Sequence, residues 1–146
     1  MYQFLDRKIS ELDAPAGFVL GAIRMWVSAV QAGRCPCGMI ANHFGKAGLD
    51  VVVSDFGMAM FTLNGDGLQQ LHLAHPGCPS IRDDEARLLA LFTSAIDGDQ
   101  PMLAQLAATL VHDNAIPRLI QATSIVAAHV AASLVSTRFD VSPRFD

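Results

Sequence analysis

Apolar residues recur at three- and four-residue intervals through most of the 146-residue chain, a period that predicts helices. The first clear segment runs from Ala14 to Ala32. Phe18, Val19, Ala22, Ile23, Met25, Trp26, Ala29 and Val30 cover most of its circumference. Arg24, Ser28 and Gln31, spaced i, i+4, i+7, form a narrow polar stripe that reads as its wet edge. Asp13 suits the N-cap, Pro15 the first turn and Gly33 the stop. Before it, Ile9 and Leu12 suit a short turn packed on the body. After it, Met39, Ile40, His43 and Phe44 predict a short helix ending at Gly45 or Gly48. Leu49, Val52, Val53, Phe56, Met60 and Leu63 then mark one helical face. An alternative is a small β-hairpin over 58–73, with Met58–Leu63 and Leu68–Leu73 flanking Asn64-Gly65-Asp66-Gly67. Period 3.6 fits these fifteen residues better than period 2, so helix is the preferred reading.

Leu68–Leu73 suits a short helical turn, and Pro76 and Pro79 block regular structure after it. Ser80 resembles an N-cap, with Asp83, Asp84 and Glu85 in the first turn complementing the helix dipole. Leu88, Leu89, Leu91, Phe92, Ala95 and Ile96 give that helix a wide apolar stripe. Asp97-Gly98-Asp99 closes it and opens the next, with Pro101 in the first turn and Leu103, Leu106, Ala107 and Leu110 on one face. So short a connection predicts a helical hairpin. Asn114 is a candidate cap for the last helix, from about Ala115 to Ser136. That helix carries no charge from Leu119 to Thr137 and is long enough to span a bilayer. Gln121, Thr123, Ser124, His129 and Ser133 dilute it, which favours a central helix of a bundle. Leu119, Val126, Val130 and Leu134 supply a ridge, and Ala122, Ala127, Ala128, Ala131 and Ala132 permit close approach. The expected fold is all-α: one domain over 1–136, with five to six helices around this C-terminal one. A tail over 137–146 carries Phe139 and Phe145, placed to dock on the body or a partner, or to remain a loose end.

Composition adds a partner to this picture. Hydrophobic residues make up 51% and charged residues 16%, against about 25% charged in ordinary soluble domains. The chain is short of solvated surface. Self-association through a large apolar interface is the expected reason; a peripheral membrane protein and an alanine-rich bundle surface are the alternatives. Net charge is −4, and the ten basic residues are scattered without a stripe, so nucleic acid is not an expected partner. The N-terminus lacks a long apolar run, and an odd cysteine count does not close a disulfide framework. Together these point to a cytoplasmic setting.

Candidate chemistry is confined to two cysteine-bearing stretches, Gly33-Arg34-Cys35-Pro36-Cys37-Gly38 and His72-Leu73-Ala74-His75-Pro76-Gly77-Cys78-Pro79. Cys35, Cys37 and Cys78 with His43, His72 or His75 make a donor set for zinc or an iron–sulfur cluster. Cys-Pro-Cys is tighter than the usual Cys-x-x-Cys, and its proline removes an amide that would face the metal. The preferred reading is therefore small buried thiols at a loop crossing. No cofactor is expected otherwise. A thiol redox role is the other use. Cys37 and Cys78 each precede a predicted helix, and a disulfide from Cys35 or Cys37 to Cys78 would tie the halves together. No hydrolase, zinc-protease or phosphate-loop signature is present. The first functional expectation is thus a non-enzymatic protein that acts by association, as a homo-oligomer. The second is a cysteine-centred metal or redox protein, and the third a peripheral membrane protein.

Overall fold

A computed structural model describes residues 8–68, 73 and 77–135, the side chain of Val135 excepted. Among these the protein is an all-α bundle with six α-helices: α1 Ala14–Gln31, α2 Pro36–Lys46, α3 Val53–Asp66, α4 Asp83–Ile96, α5 Gln100–Leu110 and α6 Ile116–Val130. Capping chemistry places several of the boundaries. The Asp13 carboxylate accepts from the Ala16 amide at 3.0 Å, and Asp99 accepts from Met102 at 3.2 Å. Gly33 and Gly98, just past α1 and α4, sit at φ 72° and 75°, the left-handed region that releases a chain from a helix.

The Leu49–Leu63 apolar period forms helix, not a hairpin. A three-residue 3-10 turn, Asp50–Val52, leads into α3, whose buried face carries Phe56, Met60 and Leu63. The described part of 58–73 contributes only an isolated bridge, Gly67 to Val111, which joins the end of α3 to the end of α5. The turn read over Leu68–Leu73 lies outside the described residues apart from its two ends, as does the tail 137–146.

Two starts differ from expectation. Helix α4 begins at Asp83 with Arg82 at the cap, not Ser80, because Glu85 reaches back to accept the Arg82 amide at 2.9 Å. Asn114 does not cap α6; it lies inside a 3-10 turn, Asp113–Ala115, and the helix starts at Ile116 with Pro117 in its first turn. Ile9 and Leu12 pack against the core from a short turn, as their spacing suggests.

Helix α6 packs on α3, α4 and α5, while α1 packs on α2 and α4. Leu119, Ala122, Val126, Ala127 and Val130 are the buried face of α6; Ala128 and Ala132 are exposed. Its continuation, Ala131–Val135, widens into a π-turn, and the Ser133 hydroxyl donates to the Ala47 carbonyl past α2 at 3.0 Å. Among the described residues, Asp113–Leu134 is the one stretch long and apolar enough to cross a membrane, by length and composition. An aromatic chain runs through the bundle. Phe18 meets Phe44 edge-on at 5.0 Å, Phe44 meets Phe56 at 5.2 Å, and Phe56 meets Phe92 at 5.6 Å. It links α1, α2, α3 and α4 through ring contacts of the favourable tilted or edge type.

Candidate functional site

Three places carry the features from which function can be argued: a buried ion pair under Cys78, the Cys35–His43 segment, and the outer face of α3.

The ion pair is the largest departure from the sequence reading. Arg24, placed on the wet edge of α1, is only 3% exposed, and Glu85 is fully buried. Their side chains meet as a two-pronged fork: Nε donates to Oε2 at 2.6 Å and Nη2 to Oε1 at 2.8 Å. The guanidinium also donates from Nη1 to the Cys78 carbonyl at 2.7 Å and from Nη2 to the Ser80 carbonyl at 2.9 Å. One arginine thus ties α1 to α4 and holds the Cys78–Ser80 segment. That segment also pairs with the N-terminal residues through an isolated bridge between Lys8 and Ser80, and the Ile9 amide donates to the Pro79 carbonyl at 2.9 Å. No buried side-chain nitrogen or oxygen among the described residues lacks a partner, as buried polar groups require. The Glu85 hydrogen bonds hold the arginine above its ordinary pKa against the opposing effect of burial.

Cys78 is half-buried on this support. Its thiol lies 3.4 Å from the Ser80 carbonyl and 3.9 Å from the Ser80 hydroxyl. Hydrogen bonding from the Ser80 backbone, helped by its side chain and by the positive charges of Arg24 and Arg82, holds the thiol below its ordinary pKa.

The Cys35–His43 segment is arranged differently from the expected loop. Helix α2 starts at Pro36, so Cys35 is the N-cap residue and Cys37 lies inside the first turn. Both thiols are exposed and free, which corrects the reading of them as small buried groups at a loop crossing. The Cys37 sulfur lies against α3 at Gly57, where an added Cβ would approach it to 3.1 Å. His43 stacks on Phe18 with ring centroids 4.3 Å apart, and its Nε2 lies 3.0 Å from the Phe18 carbonyl. A carbonyl only accepts, so Nε2 carries the proton. Gly21 leaves room for this ring, since a Cβ there would meet it at 3.2 Å. His43 is thus a packing and hydrogen-bonding residue between α1 and α2.

No three His, Cys, Asp or Glu side chains among the described residues converge to hold a metal. Cys35, Cys37, His43 and Cys78 form no such cluster between them; His72 and His75 lie outside the described residues. Cys35, Cys37 and Cys78 are all free thiols, so none is tied in a disulfide.

The outer face of α3 was not singled out from the sequence. Val51 is 66% exposed, Met58 46%, Phe61 67% and Leu68 48%. They follow one another at intervals of seven, three and seven residues, with Ser54 and Gly65 exposed between them. Every exposed position from 51 to 68 is uncharged: Val51, Ser54, Met58, Phe61, Asn64, Gly65 and Leu68. The signal in the sequence was a second apolar stripe on α3, opposite the one used for the core. It was hidden because Met58 and Phe61 alternate with core residues and read as more of the same face.

Comparison with protein-family models, with curated proteins and with solved structures finds no match.

Proposed function

We propose that this protein is a non-enzymatic helical module that acts by association with a second copy of itself. The observation that carries this reading is the uncharged, apolar outer face of α3. A helix in contact with water ordinarily carries charged or polar groups on its outer side. Here the large side chains Met58 and Phe61 stand in solvent one turn apart, and Val51 and Leu68 are exposed just before and just after the helix. Large apolar side chains exposed on a helix face whose exposed positions are all uncharged favour a protein interface. The two-copy reading fits the charge as well: a chain of net −4 meets its copy where it has no charge to repel.

Phe61→Glu tests it. Sedimentation equilibrium from about 1 to about 500 μM is expected to show a reversible dimer for the native chain, in the range of small, transient interfaces. The variant is expected to remain monomeric across that range, with unfolding free energy within about 0.5 kcal/mol of the native chain because the position is exposed. A native chain that stays monomeric throughout overturns the reading.

A second reading, a reactive thiol at Cys78, is favoured by the arginine that supports its segment. In a Cys35→Ser/Cys37→Ser background, the midpoint of the alkylation rate of Cys78 against pH is expected to lie below that of the same chain in denaturant. The exposed Arg82 contributes to this, so Arg82→Gln is expected to raise the midpoint while leaving the buried pair intact. Equal midpoints in the native and denatured chains would remove the thiol from consideration.

A further inference from the structure

We infer that the two copies pair through α3 as an antiparallel, two-fold helix pair whose axis passes between residues 59 and 60; this rests on the self-association proposed above. The exposed positions on α3 that carry the stripe are symmetric about that point. Antiparallel pairing sets Met58 of one copy against Phe61 of the other, and Ser54 against Gly65. Each contact occurs twice, as a two-fold interface requires. The bulky pair sits at the centre. The small pair on either side of it lets the two backbones approach. Val51, in the turn before α3, and Leu68, just past its end, are exposed at the two ends of the helix.

Charge decides the direction. Asp50, in the turn before α3, and Asp55, in its first turn, lie at one end of the stripe. In a parallel pair the two N-terminal ends meet, which places four carboxylates at one end of the interface. In the antiparallel pair Asp50 and Asp55 of the two copies lie at opposite ends of the interface, each near Asp66 of the other copy. Asp66 is paired with Arg118 of its own chain at 3.1 Å, so a cation accompanies the carboxylates at each end.

Cross-linking tests the direction separately from the association. With Cys35, Cys37 and Cys78 changed to Ser, Ser54→Cys and Gly65→Cys chains are prepared, first alone and then mixed. Under mild oxidation the mixture is expected to form disulfide-linked dimer at least tenfold faster than either chain alone. In the antiparallel pair the two residue-54 positions are about 16 Å apart along the helix, beyond disulfide reach. Ser54→Cys cross-linking to itself as fast as the mixture means a parallel pair and overturns the inference while leaving association intact. A chain that dimerises in sedimentation yet cross-links in no combination uses another face, and overturns it also. A chain that is monomeric by sedimentation overturns the proposed function and this pairing together.

Discussion

Glu85→Ala is expected to lower the unfolding free energy by about 3–5 kcal/mol, the cost of leaving a buried arginine without its counter-charge. The loss is large because several contacts go together. Both prongs of the Arg24 fork disappear, and the Arg82 amide at the start of α4 loses its acceptor. A domain of this size has about 5–15 kcal/mol in all, so the variant sits near the edge of folding. The companion Arg24→Met is expected to be about as costly. It removes the counter-charge of the buried Glu85 carboxylate and the guanidinium donors to the Cys78 and Ser80 carbonyls. The double variant Arg24→Met/Glu85→Leu is expected to be less destabilised than the sum of the two singles, because it removes both charges at once. Urea unfolding of the four chains measures this. Additive effects, or a loss below about 1 kcal/mol for either single change, would mean that the pair does not tie α1 to α4. Hydrogen exchange offers a local readout: faster exchange of the Ile9 amide, which bonds Pro79, would report release of the Cys78–Ser80 segment.

Phe56→Ala is expected to cost about 3–5 kcal/mol, the range for deleting a buried aromatic ring. Phe56 is the middle member of the aromatic chain, with Phe44 of α2 on one side and Phe92 of α4 on the other. All three rings are buried and the flanking helices hold them from different directions, so the space cannot close by moving one side chain. Phe56→Leu keeps most of the volume and is expected to cost about 1.5 kcal/mol or less. Denaturant unfolding gives both values. An alanine variant as stable as the leucine variant would show that the bundle collapses around the gap.

The helices themselves were legible from one-dimensional rules. Asp13 and Asp99 cap because a short carboxylate reaches the amide three residues on, which is local geometry. The face Leu49, Val52, Phe56, Met60 and Leu63 is buried because its spacing matches the helical period. The buried ridge of α6 follows for the same reason. Arg24 was misread because the same period cannot say whether a polar residue faces water or a partner. Its partner is 61 residues away. Glu85 stands in the first turn as its sequence position suggests, but that position does not reveal its distant partner. A carboxylate in the first turn of a helix has a sufficient local explanation in the dipole, and this one also makes a long-range bond. The cysteines were expected inside, on the general burial of thiols. Cys35 and Cys37 are exposed instead, because burial depends on which elements pack over a residue and not on its type alone.

The sequence by itself determined that the chain is helical, roughly where each helix begins and ends, and which stripe of each is apolar. These depend on contacts within a few residues. It also established that the chain has more apolar residues than charges to cover them, but not where the excess would lie. Tertiary structure alone decided that α3 turns one apolar stripe inward and leaves the other in solvent, because a helix packed on one side has a second side that only its neighbours can cover. It decided, too, that Arg24 is a buried clamp, because burial and pairing depend on residues brought together from distant parts of the chain.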